Sequence, residues 1–413
     1  MTDFFRYQVR VIRAGGLTAL IRKLRVLAWL SLGWLAALAM RLVRPLILIR
    51  IAPLRSERIG HFCAGPELYL CGRDAHPPAG RTWDLFYHQP PICNQQLKRM
   101  WDRTLPVAAF AGWVDWANHR WPGYEPHVVP IVSERDLDGL LWRTKPHLAF
   151  TAEEARAGEE GLRRMGIAAG APFVCFTSRD SAYLSSVWPE VNWRYHEYRN
   201  SSIHAYGLAA ELLANRGYYA VRMGAVVQEP LRTSHPRIID YSTNGYRSDL
   251  LDIYLGATCR FFLAGLTGLE HVPMIFRRPR IIANFIPLAW VPAWGPQDLI
   301  IPKRLWLKAE RRFLTFGEII RSSIGGFLST EQYERLGLEP IENTPEEIAS
   351  VASEMDRRLN GTWESAPEDE ELQRKFWALY EPGELNRVFL ARIGADFLRA
   401  HHALLEEQAV VRC

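Results

Sequence analysis

The 413-residue sequence lacks the cysteine patterns that mark disulfide frameworks and metal sites. It contains no C-x-x-C and no paired Cys/His spacing, and its cysteines are scattered along the chain. Most of them fall within apolar runs, which favours buried free thiols and a reducing, cytoplasmic compartment. The six cysteines are Cys63, Cys71, Cys93, Cys175, Cys259 and Cys413.

The N-terminus lacks an uncharged run long enough for a typical membrane-spanning helix. Its uncharged stretch, Val26–Met40, has 15 residues and would rise about 22 Å as a helix, against a hydrocarbon core of ~30 Å. No small-x-small cleavage site of a secretory signal stands out before Arg41. Because Trp29 and Trp34 lie in the stretch and basic residues flank it, we expect residues 1–45 to be a helical segment on an anionic membrane surface. The alternative is a core helix of a soluble domain.

Nucleic-acid-binding motifs are missing as well, although the formal net charge is +5. Basic residues crowd the first fifty positions, which indicates an anionic membrane surface as partner and no nucleic acid. The chain is 48% hydrophobic with 15 tryptophans, so its composition excludes extensive disorder, and its length predicts two domains. The basic residues near the N-terminus are Arg6, Arg10, Arg13, Arg22, Lys23, Arg25, Arg41, Arg44 and Arg50.

The stretch over residues 252–285 has the pattern of a parallel sheet. It reads as helix, buried strand, small-residue loop, short helix and second strand. Ligands of such sheets bind beyond the carboxyl ends of the strands, where Gly265, Thr267 and Gly268 lie in this stretch. Glycines let a ligand approach the backbone, so these residues are candidates for donor binding. The alternative is a glycine-containing turn that only connects two elements.

Two further predicted strands end in polar residues. Arg179 and Asp180 follow the apolar run 173–176, and Arg222 and Gly224 close the run 218–222. In parallel order these ends meet at one crevice, where a guanidinium offers a planar fork to phosphate.

Two other residues complete the predicted donor side. Asp249 opens the helix before residue 252, and Lys303 follows a proline-rich loop that could cover a nucleotide. The competing explanation of this crevice is a structural ion-pair network among Arg179, Asp180, Arg222 and Asp249.

The first half of the chain predicts a second α/β unit. A strand over 46–51 precedes a loop with Arg58, Gly60 and His61, a turn that could seat a phosphate or a sugar on the acceptor side. His61 is the candidate general base, although a lone histidine is more often structural.

A D-x-D pair follows further along the chain. Asp136 and Asp138 precede an apolar helical run, so they are interpreted as acids at a helix N-terminus, and no metal is assigned.

The predicted domain organisation has four parts. A capping box at Thr151 opens a helix before a small-residue boundary near 166–172, and a second box at Thr344 opens the C-terminal helices, including 369–379 and 384–407. The parts are 1–45 (membrane-associating segment), 46–168 (acceptor domain), 169–343 (nucleotide-sugar domain) and 344–413 (helices packing back on the domains).

Several segments resemble a bacterial family of glycosyltransferases associated with surface-polysaccharide synthesis. They are Arg58–His61 with Glu67–Leu70, Arg179–Tyr183, Tyr198–Asn200, Gly217–Gly224, Tyr246–Asp249 and Glu342–Ile348. More distantly, Gly265–Gly268 is similar to a Gly-Thr-Gly-like loop of heptosyltransferases, with Leu266 in place of their acidic residue. The run 173–180 resembles the arginine-containing loop of GDP-sugar-binding fucosyltransferases, with Arg179 alone in place of their paired arginines.

The resemblance implies two Rossmann-like domains facing a cleft, the GT-B arrangement. It further implies metal-independent transfer, without a cofactor, from a nucleotide-sugar donor to a cell-surface glycan or lipid-linked acceptor. The cell location implied is the cytoplasmic face of the inner membrane. Alternatives are a nucleotide-sugar epimerase, a polysaccharide pyruvyl transferase, or a non-catalytic, membrane-tethered scaffold of polysaccharide assembly, because fold alone does not fix function.

Overall fold

The structure is a computed structural model that describes residues 2–78, 80–130, 135–291, 295–381, 383 and 387–406. Its α-helices are α1 Thr2–Leu42, α2 Ile59–Ala75, α3 Gln95–Thr104, α4 Ala111–Asn118, α5 Leu140–Arg143, α6 Ala152–Arg164, α7 Ala182–Val187, α8 Gly207–Asn215, α9 Asp249–Thr258, α10 His271–Ile275, α11 Phe316–Ile320, α12 Thr330–Arg335, α13 Pro345–Leu359, α14 Asp369–Trp377 and α15 Ala395–Ala400. Its strands are β1 Leu48–Leu54, β2 Thr82–His88, β3 Phe173–Thr177, β4 Tyr219–Arg222, β5 Ile238–Asp240, β6 Phe262–Ala264, β7 Arg280–Phe285, β8 Leu299–Pro302, β9 Arg304–Leu307, β10 Arg312–Phe313, β11 Leu338–Ile341 and β12 Arg392–Ile393. The predicted α/β class is confirmed.

The first unit is built on a small parallel sheet. Strands β1 and β2 pair in parallel along their length. Single parallel bridges join Ile51 to Val128 and Phe86 to Val107 and widen the sheet on either side. The apolar run 106–110 contributes the bridge at Val107.

The second unit is a wider parallel sheet with the strand order β12-β8-β7-β6-β3-β4-β5. Every residue of β3 and β7 is buried, as expected for strands covered by helices on both faces. A short antiparallel sheet, β10-β9-β11, adjoins it. Because β6, β3 and β4 are neighbours, the three strand ends that the sequence singles out lie side by side.

Local capping signals fix several helix boundaries as predicted. Thr151 and Thr344 each form a capping box with the glutamate three residues later. Gly217, at φ 101°, follows α8 in the left-handed region that favours glycine.

The C-terminal segment differs from its prediction. A helix over 384–407 is wrong across the described part of that range, because β12 pairs with β8 at the sheet edge and the short α15 follows. Ala391 and Ile393 are buried there, so tertiary pairing overrides the local helical pattern. The loop predicted between β7 and Lys303 likewise contains β8, which pairs with β7.

The two units share one apolar core at their interface. Phe62 and Trp101 of the first unit belong to the same buried cluster as Ile253, Val272 and Ile275 of the second. The backbones approach so closely that the predicted acceptor-side Gly60 and donor-side Gly268 face each other: a Cβ at Gly60 would lie 2.9 Å from Gly268 Cα. These two glycines therefore allow domain packing at this point.

Helix α1 packs on the first unit along one narrow stripe. Ala37 and Met40 are buried, and Gly33 lies so close to α4 that a Cβ there would be 2.7 Å from the carbonyl oxygen of Trp113. By length and composition, Gly16–Leu42 passes the test for a membrane-crossing helix, although a core helix or a signal sequence passes the same test. The side chains of Arg6, Arg10, Arg13 and Arg22 lie outside the described residues.

Most of the predicted buried thiols are confirmed. Cys63, Cys71, Cys175 and Cys259 are buried and free, whereas Cys93 is partly exposed and also free. Cys413 lies outside the described residues.

Candidate functional site

Arg179 lies in the crevice beyond the carboxyl ends of β6, β3 and β4. Its Nη1 donates to the carbonyl oxygen of His196 at 3.3 Å and to Oδ1 of Asn200. Burial, and next the charge of Arg199, lower the pKa of Arg179 to about 10. The guanidinium is thus held by neutral groups, and its charge is not matched by a hydrogen-bonded carboxylate.

Lys303 reaches the same place from the end of β8. Its Nζ donates to the main-chain oxygen of Asn200 at 2.7 Å, so Asn200 holds both Arg179 and Lys303. Burial is the main cause that lowers the pKa of Lys303 to about 8; the charge of Glu342 opposes this shift, and that of Arg179 adds to it. The sequence therefore identified a cation that the fold brings to Arg179 from a distant strand.

Arg199 is a further cation of this site. Its Nη2 donates to the carbonyl oxygen of Leu266 at 3.0 Å, which ties it to the loop between Gly265 and Thr267. Burial lowers its pKa, and its Nε is buried with no hydrogen-bond partner. The sequence signal for Arg199 was its place in the Tyr198–Asn200 segment of the family resemblance, but nothing in its spacing predicted that it would join Arg179.

Arg58 brings a charge from the first unit across the interface. Its guanidinium lies over the rings of Trp188 and Trp193, 5.2 and 5.5 Å from their centroids. Arg58, Arg179, Arg199 and Lys303 together form what we term the cationic cluster. Within the described part of the chain, none of the four forms a salt bridge with a carboxylate.

His196 lies among these charges. Its ring stacks on Trp193 with an interplanar angle of 10°. Burial, followed by the charges of Arg179, Arg199 and Arg58, lowers its pKa to about 4, so the imidazole is neutral near pH 7. Its Nδ1 is buried without a hydrogen-bond partner.

The loop after β6 contributes polar and small groups to the same crevice. Gly265 lies against the backbone of Arg179, and a Cβ there would be 3.7 Å from its nitrogen. Oγ1 of Thr267 is buried and has no hydrogen-bond partner. His61 lies in the first turn of α2, next to the Gly60–Gly268 contact.

Arg222 belongs to an ion pair. Its side chain is 1% exposed, and its Nη1 lies 3.1 Å from Oδ1 of Asp240. Asp240 also accepts hydrogen bonds from the Leu231 amide and the Thr243 hydroxyl. The competing ion-pair explanation thus describes Arg222, with a partner that the sequence did not single out. Gly224, at φ 153°, follows in a tight loop.

The two predicted carboxylates hold loops in place. Asp180 accepts hydrogen bonds from the amides of Ala182 and Gln228. Asp249 accepts one from the Gln95 amide at 2.7 Å and so links the two units.

Asp136 accepts hydrogen bonds from the amides of Leu140 and Leu141, which confirms its interpretation as an acid at a helix start.

A second polar group lies at the interface of the two units. Glu67, Cys71 and His147 approach closely enough to be considered as metal ligands. Nη2 of Arg277 lies 2.7 Å from Oε1 of Glu67, and hydrogen bonding with Cys71 and then Glu67 raises the pKa of His147 to about 10. Because two cations already neutralise Glu67, we interpret this group as an ion-pair cluster that joins the units.

No family model matches the chain, and no curated protein matches it significantly. Among solved structures, a family 9 glycosyltransferase from Veillonella parvula DSM 2008 is 11% identical, with a TM-score of 0.35 over 57% of this chain and 80% of its own. The E. coli ADP-heptose lipopolysaccharide heptosyltransferase II is 13% identical, with a TM-score of 0.32 over 58% and 86%. An E. coli heptosyltransferase with ADP is 12% identical, with a TM-score of 0.28 over 62% and 91%. This likeness is distant, so function is inferred from the cationic cluster.

Proposed function

We propose that the protein is a glycosyltransferase that binds the diphosphate of a nucleotide-sugar donor at the cationic cluster. The observation behind the proposal is that four cations from both units gather without carboxylate partners. Buried charges cost free energy when they lose hydration without being paired. A bound diphosphate removes that cost through charge-assisted hydrogen bonds.

Atoms without hydrogen-bond partners support the same ligand. Nε of Arg199 and Oγ1 of Thr267 are buried donors with no acceptor among the described residues, and both belong to segments joined through Leu266. Buried polar groups are normally satisfied, so such donors in one crevice favour an acceptor-rich ligand.

The transfer is proposed as a metal-independent displacement. The acceptor hydroxyl oxygen attacks the anomeric carbon of the sugar, the bond from that carbon to the diphosphate oxygen breaks, and the nucleoside diphosphate leaves with the bonding electrons. The fixed cations stabilise the charge that grows on the leaving oxygen. His61, on the first unit, is the proposed base for the hydroxyl proton.

The acceptor is proposed to be a cell-surface glycan or a lipid-linked glycan at the cytoplasmic face of the inner membrane. The exposed apolar surface of α1 supports this location. The Trp-rich first unit faces the cluster through Arg58, so the acceptor would enter from that side.

Calorimetry with ADP, UDP, GDP and CMP tests the proposal. We expect one nucleotide to bind and Arg179→Met to weaken it more than tenfold, whereas Arg163→Met, a surface arginine on α6, leaves binding unchanged. Slow hydrolysis of the matching nucleotide sugar without acceptor would support transfer. If no nucleotide binds, the protein is a scaffold; an epimerised sugar or pyruvylated glycan as product would instead identify the other enzymes.

A further inference from the structure

The outer surface of α1 is rich in exposed apolar side chains between Leu17 and Leu42. Beyond the buried stripe of Gly33, Ala37 and Met40, its large apolar side chains point into solvent. Soluble monomers rarely expose so long an apolar strip, which is typical of an interaction surface. The exposed residues are Leu17, Leu20, Ile21, Leu24, Val26, Leu27, Trp29, Leu32, Leu35, Leu38 and Leu42.

The packing of α1 favours an orientation along a membrane surface over one that crosses it. Residues 33–41 are held against α4, where Nη2 of Arg41 donates to Oδ1 of Asn118 at 2.9 Å. The part of α1 before this contact begins at Thr2, and its helical geometry breaks at Gly16. Between the break and the contact, the segment Gly16–Leu32 would be about 25 Å long and carries Arg22, Lys23 and Arg25 in its middle. A spanning helix needs about 20 predominantly apolar residues, so this segment is better suited to lying along a membrane surface than to crossing it.

The first unit extends this surface. Side chains alternate between the faces of a strand, so Trp83 lies on the face of β2 that carries Leu85, and Leu85 packs with Met40 of α1. Trp83 is 49% exposed. It therefore lies in the same layer as α1, on the outside of the molecule.

Helix α4 belongs to the same layer. Phe110, directly before α4, is 49% exposed, and Trp116 is exposed and meets Trp34 of α1 edge-on at 6.3 Å between ring centroids. The exposed apolar surface thus continues from α1 onto the first unit.

Charge identifies what covers this surface. No aspartate or glutamate occurs from residue 4 to residue 56, whereas Arg25 and Arg44 are exposed at either side of the apolar stretch. A second copy of the chain would bring the same basic residues together and repel. Anionic lipid headgroups complement them, with apolar and aromatic side chains in the layer below.

We propose that α1 together with Trp83, Phe110 and Trp116 forms one docking face, with which the first unit lies flat on an anionic bilayer. This inference does not depend on the proposed transferase activity. It adds a fixed orientation of the folded protein to the membrane association predicted from α1 alone.

Vesicle binding by the full chain tests the contribution of the first unit. The double variant Trp83→Ser/Phe110→Ser should bind vesicles of phosphatidylcholine with 30% phosphatidylglycerol at least tenfold more weakly than the parent. Leu336→Ser, a matched loss of an exposed apolar side chain on the second unit, should bind as the parent does. Circular dichroism and thermal melting check that each variant folds. Unchanged binding of a folded double variant would overturn the proposal, because α1 alone would then account for docking.

Two further measurements test the orientation and the partner. A tag before α1 should remain accessible to protease outside sealed vesicles; a protected tag would mean that α1 crosses the bilayer and would overturn the proposal. Binding should be at least tenfold weaker to pure phosphatidylcholine. Equal binding to both lipids, or sedimentation as a dimer that the double variant abolishes without any vesicle binding, would also contradict it.

Discussion

Arg280 and the cationic cluster differ in whether carboxylates form salt bridges with their cations. Arg280 is fully buried between Asp298, 2.5 Å from its Nη2, and Glu270, 2.5 Å from its Nη1. The pKa of Arg280 is raised because these charges outweigh burial. In the cationic cluster the pKa values of Arg179 and Lys303 are lowered instead, because burial there outweighs the opposing charges of Asp180 and Glu342, respectively. The contrast separates an ion pair that stabilises the fold from a group of cations that we propose to bind an anion.

The largest expected effect comes from removing the charge of Arg280. Arg280→Met leaves Asp298 and Glu270 buried without their partner, so we expect the free energy of unfolding to fall by about 3–5 kcal/mol. Urea denaturation followed by circular dichroism measures it. A loss below about 1 kcal/mol would contradict the assignment of Arg280 to the fold rather than to a ligand.

Arg222 and Arg179 form a matched pair for the same contrast, since they lie at the carboxyl ends of the neighbouring strands β4 and β3. Arg222→Met leaves the carboxylate of Asp240 without its ion-pair partner, and we expect it to lower the free energy of unfolding by about 3 kcal/mol. Arg179→Met deprives no carboxylate of a salt-bridge partner. The free energy of unfolding should therefore stay unchanged or rise, while nucleotide binding falls more than tenfold. Equal destabilisation by both variants would remove the distinction between the two groups.

Local sequence patterns predicted much of the second unit. The apolar runs at β3, β4 and β6 and the small-residue loop after β6 were sufficient to place Arg179 and Gly265 at one edge, because parallel strands share their carboxyl ends. Capping boxes at Thr151 and Thr344 set helix starts through contacts three residues apart. Such features depend on neighbours in sequence.

Features that depend on distant neighbours could not be predicted. Nothing in the sequence selects Asp240 as the partner of Arg222, or shows that the glycines at 60 and 268 fill one contact between units. Arg199 joins the cluster through a 3-10 turn, Trp193–Arg199, which has no strong pattern. The donor-side role of Asp249 stays a prediction, and its observed contact links the units.

Lys303 makes the cationic cluster sensitive to pH. Its pKa is about 8 when folded and near its ordinary value of 10.5 when unfolded, so the unfolded chain binds the proton more tightly. The contribution of Lys303 to the free energy of unfolding therefore rises as pH increases from about 8 to 10.5. Diphosphate needs the protonated amine, so its affinity should fall up to tenfold per pH unit above pH 8.

Calorimetry at pH 7.5, 8.5 and 9.5 measures this dependence. Lys303→Arg keeps its charge over the whole range, because a guanidinium does not lose its proton there, and should bind with nearly constant affinity. A parent protein whose affinity is equally constant would show that Lys303 does not contact the anion.

The smallest effect concerns how Arg58 is held. Trp188 contacts its guanidinium by a cation–π interaction, which keeps the charge in place without neutralising it, as a carboxylate would. Trp188→Leu should weaken nucleotide binding about threefold, in line with a contribution of roughly 0.5–1 kcal/mol, and leave stability nearly unchanged. Trp363→Leu removes a similar contact with Arg357 and Arg358, away from the cluster, and should leave binding unchanged. If Arg58→Met binds as tightly as the parent, the first unit contributes no charge to the site, and the cluster belongs to the second unit alone.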